Sequence, residues 1–93
     1  MGTIREKKGY EMGQGTLPTW SELAKSIVAG SIYEHYKKKR YKIVGVARHT
    51  ETLEELVVYL ALYGEGELWV RPLAMFLENI FVEGSLQPRF RAL

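Results

Sequence analysis

The chain has 93 residues, 46% hydrophobic and 26% charged, with a formal charge of +2, a composition that suits one small folded domain and is too apolar for a disordered one. It has no cysteine, and all eleven of its acids are Glu, so disulfide frameworks, thiolate chemistry, Asp-rich calcium loops and Asp-dependent triads are excluded. With so small a net charge, attraction to a polyanion must come from a local patch.

Residues 1–16 mix charges with Gly9, Gly13 and Gly15 and show no apolar period, so they read as a flexible lead-in. They contain no apolar stretch of the signal-peptide kind, and no run in the chain approaches the roughly 20 apolar residues of a membrane span, so a cytoplasmic, non-membrane protein is expected. Over 17–30 the pattern changes. Thr19 and Glu22 have the spacing of a capping box, Trp20, Leu23, Ala24, Ile27 and Val28 recur at helical spacing, and Gly30 supplies a stop, predicting an amphipathic helix over 20–28.

From Ser31 the period becomes two. In "RYKIVGVAR" Tyr41, Ile43 and Ala47 share one predicted face and Lys42, Val44, Val46 and Arg48 the other, with Gly45 marking a bulge or bend. The segment "TLEELVVYLALYG" supports two readings: a second capping box, Thr52 and Glu55, with Leu53, Leu56, Val57 and Leu60 at helical spacing, or a strand rich in Val and Tyr. Beyond Gly64–Gly66 a strand Leu68–Arg71, a break at Pro72, a helical turn near Ala74–Leu77, a strand Ile80–Val82 and a last short strand in "PRFRAL" are expected.

The runs "YEHYKKKRYKIVGVARHTETLEELVVYLALYG", "LWVRPLAMF" and "PRFRAL" resemble a bacterial domain of unknown function, family 1653, over residues 31–93. The resemblance implies a mainly β fold, a small SH3-like β-barrel of about five strands, makes 56–63 a strand, and implies no activity; the N-terminal α-helix lies outside it and adds to the barrel. If Arg40–Arg48 and Leu56–Tyr63 pair as a hairpin with partners summing to about 104, Lys37 and Lys39 face Glu67 and Glu65, and the reversal of charge sign along the chain fixes strand register. Val58, Leu60 and Leu62 then leave apolar surface outside the barrel, which the helix 20–28 would cover, either in its own chain or in a homo-oligomer.

The chemistry-bearing residues fall into three groups. Lys37, Lys38, Lys39, Arg40 and Lys42, interleaved with Tyr36 and Tyr41, have the composition of a surface that grips phosphates and stacks bases, or of a solvated strand edge. Arg48, His49, Thr50 and Glu51 form a polar corner at a strand end, and Trp69 and Arg71, with Tyr59, offer an amphipathic partner-binding surface, while Met75 and Phe76 read as a core plug. Two isolated histidines and scattered Glu make no metal signature, no phosphate-loop or nucleophile motif is present, and no cofactor is expected. The sequence therefore points to a non-catalytic binding or interaction module, with RNA or single-stranded DNA binding through Lys37–Lys42 as the alternative and a small enzyme third.

Overall fold

The fold was read from a computed structural model that describes residues 17–93; the lead-in expected over 1–16 lies outside the described residues. Among the described residues two one-turn helices, Glu22–Lys25 (α1) and Leu73–Phe76 (α2), accompany seven strands: Ile32–His35 (β1), Arg40–Arg48 (β2), Glu55–Ala61 (β3), Leu68–Pro72 (β4), Asn79–Val82 (β5), Ser85–Pro88 (β6) and Phe90–Ala92 (β7). Strands β4-β3-β2-β1-β7 form one antiparallel sheet in that order, and β5 and β6 form a separate hairpin. The domain is mainly β, and residues 55–61 are a strand: Val57, Val58 and Tyr59 pack on a pleated surface, and the capping-box reading of Thr52 and Glu55 is not realised.

The sheet is not closed into an SH3-like barrel. Strands β4 and β7 remain its two edges, and the space between them on the inner face is filled by α2. Phe76 of α2 is fully buried (0% exposed) and stacks on Phe90 of β7 with centroids 4.1 Å apart, so a side-chain plug does the work that a closing hydrogen-bond ladder does in a barrel. Met75, expected in the same plug, points outward and is exposed.

The β2–β3 hairpin forms with a register other than the one expected. Tyr41 pairs with Ala61 and Ile43 with Tyr59; Val44 is then an extra residue, and pairing resumes with Gly45 opposite Val58, Val46 opposite Val57 and Arg48 opposite Glu55. The bulge reverses the alternation, so Val46 and Arg48 turn to the inner face with Tyr41 and Ile43, whereas Ala47 turns outward. Lys37 and Lys39 do not pair with Glu67 and Glu65. They belong to the tight turn between β1 and β2, where Lys38 adopts φ 74°, and ion pairs among the described residues join Arg40 and Arg91 to Glu34, Arg89 to Glu78 and Lys25 to Glu22.

The helix expected over 20–28 is cut to a single turn. Ser21, not Thr19, is the N-cap, its hydroxyl accepting from the Ala24 N–H at 3.0 Å, and the β-branched pair Ile27–Val28 ahead of Gly30 at φ 90° does not sustain a helix. The segment does not cover the outside of the sheet. Ala24 joins the buried cluster of Ile43, Val57, Leu73 and Phe76 on the inner face, Ile27 packs against it, and the outer residues Val44, Leu62, Leu68 and Val70 stay exposed.

Candidate functional site

The β1–β2 turn is held by the backbone on three sides. The His35 N–H donates to the Lys39 carbonyl at 2.7 Å, the Lys38 N–H donates to the His35 carbonyl at 2.7 Å, and the Tyr36 N–H donates to the Arg89 carbonyl at 2.9 Å, which fastens the turn to the end of β6. The Lys37 N–H donates to His35 Nδ1 at 3.2 Å, so the neutral imidazole carries its proton on Nε2. Its ring lies between Tyr36, 4.4 Å away, and Phe90, 4.9 Å away. Burial, reinforced by the positive charges of Arg71, Arg89 and Lys37, holds His35 below the ordinary imidazole range.

Glu34 organises the cations beside it. One carboxylate oxygen accepts from Arg91 at 2.7 Å and the other lies 3.6 Å from Arg40 Nε, so residues from β1, β2 and β7 are tied across the sheet. The hydrogen bond from Arg91 is the main reason the Glu34 carboxyl ionises below its usual value, with the charges of Arg40 and Lys38 adding to it. Arg89, bonded to Glu78 at 3.2 Å, leaves its buried Nε without an acceptor among the described residues.

These groups surround a cavity of about 310 Å³ lined by Glu34, His35, Tyr36, Lys38, Gln87, Pro88 and Arg91. It combines one carboxylate, committed to arginines, with two cations, Lys38 and the Arg91 that the carboxylate holds, two aromatic rings and an amide, at the lower end of the volume range of about 300–1,000 Å³ typical of ligand pockets. Of the basic run, Lys38 lines the cavity, while Lys37 lies 5.7 Å from the Tyr36 ring and Lys39 lies 4.8 Å from the Tyr63 ring. Lys42 sits on β2 between Ile32 and Leu60 and does not line the cavity. Tyr41, read from sequence as a stacking ring, is buried, and its hydroxyl meets that of Tyr63; burial first, and that hydrogen bond second, push its ionisation well above the usual phenol range.

The other candidate residues occupy separate places. Arg48, at the far end of β2, lies over the Trp20 ring at 4.1 Å and donates to the Pro18 carbonyl, so it fastens the N-terminal segment. His49 Nδ1 accepts the backbone N–H groups of Glu51 and Thr52 at 3.1 and 3.3 Å and thereby shapes the hairpin loop that also contains Thr50. Arg71 Nε donates to the Tyr59 hydroxyl at 3.3 Å and the guanidinium lies 5.6 Å from the Phe90 ring, over the inner face. Trp69 shares that face, opposite Tyr59, but is 48% exposed and borders a cleft of about 230 Å³ with Ala61, Tyr63, Glu65 and Glu67. The structure thus brings Tyr59, Trp69 and Arg71 onto one face and leaves Arg48–Glu51 at the hairpin end.

Sequence reasoning did not single out Glu34, Gln87 or Arg91, and used His35 only in weighing a metal site. The available signal was the alternation of Arg89 and Arg91 around Phe90, but their approach to the turn depends on β1–β7 pairing, which couples residues far apart in the sequence. Among the described residues no group of three or more potential ligands could hold a metal ion, and no helix is long and apolar enough to cross a membrane.

Fold and cleft together define a small mainly β domain with an open five-stranded sheet and an aromatic, cation-lined pocket at one end. The chain belongs to the family described as protein of unknown function (DUF1653), whose model matches residues 31–92. It is similar to a crystal structure of a protein of that family from Bordetella bronchiseptica, with 33% identity over 75% of this chain and 91% of the other and a TM-score of 0.67. No curated protein matches.

Proposed function

We propose that this domain is a non-catalytic binding module of the bacterial cytoplasm, and that the cavity at the β1–β2 turn takes one nucleotide unit of RNA or single-stranded DNA. The observation that carries the reading is the convergence of Tyr36, His35, Lys38 and Arg91 on one cavity of about 310 Å³. Ring faces stack on bases without regard to sequence, each such contact contributing about 1–3 kcal/mol, while the ammonium and guanidinium groups neutralise the phosphates. Glu34 does not oppose this role, because its charge is spent on Arg40 and Arg91 and holds the latter in place. The basic turn also contributes Lys37 and Lys39, which gives a local positive patch on a chain whose total charge is small.

A second reading, a protein-binding surface around Arg48, His49, Trp69 and Arg71, is favoured by the exposure of Trp69 beside its cleft. Arg48 is four residues of β3 away from Trp69, roughly 13 Å at strand rise, and already occupied by Trp20, so the surface reduces to Trp69 with its neighbours. Isotope-edited spectra of the protein titrated with a short oligouridylate separate the two. Amide shifts at 34–40 and 87–91 that weaken with salt support the nucleotide reading; shifts confined to 48–51 and 69–71, or none, contradict it.

A further inference from the structure

We infer that β4 is the interface of a weak, two-fold homodimer, in which the β4 strands of two copies pair antiparallel about Trp69 and join their sheets edge to edge. Strand β4 hydrogen-bonds to β3 alone among the described strands, and its first and middle residues are open, Leu68 at 63% and Val70 at 57% exposure. The opposite edge, β7, is shorter and carries Arg91. Edge strands of this apolar kind are templates for pairing unless charge or distortion blunts them.

The direction of the free backbone groups follows from the ladder. The Ala61 N–H donates to the Glu67 carbonyl at 2.9 Å, and the uniform β3–β4 register then alternates, so Glu67, Trp69 and Arg71 direct their backbone groups to β3. Leu68 and Val70 direct theirs outward, as does Pro72, whose missing N–H falls where β3 has no use for it.

An antiparallel partner centred on Trp69 places Leu68 opposite the second copy's Val70, where each residue of the pair has both a free N–H and a free C=O. The same register sets Glu67 opposite Arg71 of the second copy, twice by symmetry, and the two Trp69 rings face each other across the axis. Pro72 falls opposite Gly66, at the end of the ladder, where a missing donor matters least. Glu67 is exposed, and Arg71, whose Nε donates to Tyr59 and whose guanidinium lies over Phe90, has no carboxylate partner among the described residues, so Glu67 of the second copy supplies one. The run "ELWVR" is therefore complementary to itself in charge, in apolar surface and in backbone hydrogen bonding, which is what selects a second copy over an unrelated strand. An edge of about five residues buries well under the roughly 800 Å² per partner of a stable interface, so the dimer depends on concentration.

The full chain without cysteine gives a direct test. Trp69→Cys places two thiols across the axis at a non-hydrogen-bonded site, where the Cα separation of about 4.5 Å lies within disulfide range. Under mild oxidation it is expected to cross-link several-fold faster than Phe81→Cys, a control at an exposed site on the β5–β6 hairpin. Equal rates would overturn the inference. Sedimentation of the unaltered chain should show its average mass rising from micromolar to millimolar concentration, and Glu67→Lys, which sets like charges opposite each other, should suppress the rise. A chain that remains monomeric at millimolar concentration, or one whose self-association ignores Glu67→Lys, would contradict the paired register and leave the edge to a strand of another protein. Neither result bears on the nucleotide cavity.

Discussion

Glu55 receives both hydrogen bonds that Ser21 can give, from its backbone N–H at 2.8 Å and from its hydroxyl at 2.6 Å. The same hydroxyl caps α1, so one side chain joins the helix start to the first residue of β3. These bonds hold the Glu55 carboxyl below its ordinary value of 4.5, the hydroxyl contributing most and the backbone N–H next. A depressed carboxyl adds stability above its unfolded-state value, and that stability is lost as pH falls through the folded-state value. Glu55→Gln should therefore lower the melting temperature at neutral pH, with the difference from the parent shrinking as the pH drops below 4.5. Ser21→Ala removes the cap as well and should cost about 1 kcal/mol in urea unfolding.

Phe76 is the residue on which the open sheet depends. It stacks on Phe90, meets the edge of the Tyr33 ring at 5.2 Å and has no exposed surface. Phe76→Ala should destabilise the domain by about 3–5 kcal/mol, enough to unfold much of a protein this small, whereas Phe76→Leu should retain the fold at a lower denaturation midpoint.

His35 gives the cavity at the β1–β2 turn its own spectroscopic signal. Burial and the surrounding cations lower its ionisation from the ordinary 6.5, so below that pH the unfolded chain binds the proton more readily and stability declines; above it the contribution is complete. A phosphate held by Lys38 and Arg91 adds negative charge beside the ring, and the His35 midpoint measured by NMR should rise when oligonucleotide is added. An unchanged midpoint with saturating ligand would place the ligand elsewhere.

Lys38 separates function from stability. Its φ of 74° lies in the left-handed region, which costs a residue with a side chain about 1–2 kcal/mol and costs glycine nothing. Lys38→Gly should leave the melting temperature unchanged or raised while weakening oligonucleotide binding. A fall in both would mean that the lysine serves the turn itself.

Strands β2, β4 and β5 were legible from their Tyr, Ile and Val content, and the family resemblance settled β3, whose periodicity fits helix and strand about equally; β6, with the sequence SLQP, carries no such signal and was not anticipated. The bulge at Val44 was foreshadowed by Gly45, but its consequence was not: one extra residue moves Val46 and Arg48 to the other face, and no local pattern tells which side of a bulge keeps its parity. The lysines miss the glutamates chiefly because the chain turns between His35 and Arg40, which takes Lys37 and Lys39 off β2, and the hairpin register is already one residue short of the expected one on the loop side of the bulge. The length of α1 was overread because Trp20, counted in the apolar stripe, lies instead under Arg48. The cavity was only half visible. Its basic turn is a continuous run of sequence, but Arg91 reaches it through pairing of β1 with β7 and Gln87 from β6, long-range placements that composition does not encode.

The most direct test of the nucleotide reading is the salt dependence of oligouridylate affinity, measured by fluorescence anisotropy on the parent, Lys38→Gly and Tyr36→Ala. Each phosphate neutralised on a single strand contributes a log-log slope of about −0.7. The slope should become shallower by about that amount in Lys38→Gly, while Tyr36→Ala should lower affinity at every salt concentration and leave the slope unchanged. Binding absent at low salt, or an affinity indifferent to both substitutions, would contradict a nucleotide site at the β1–β2 turn.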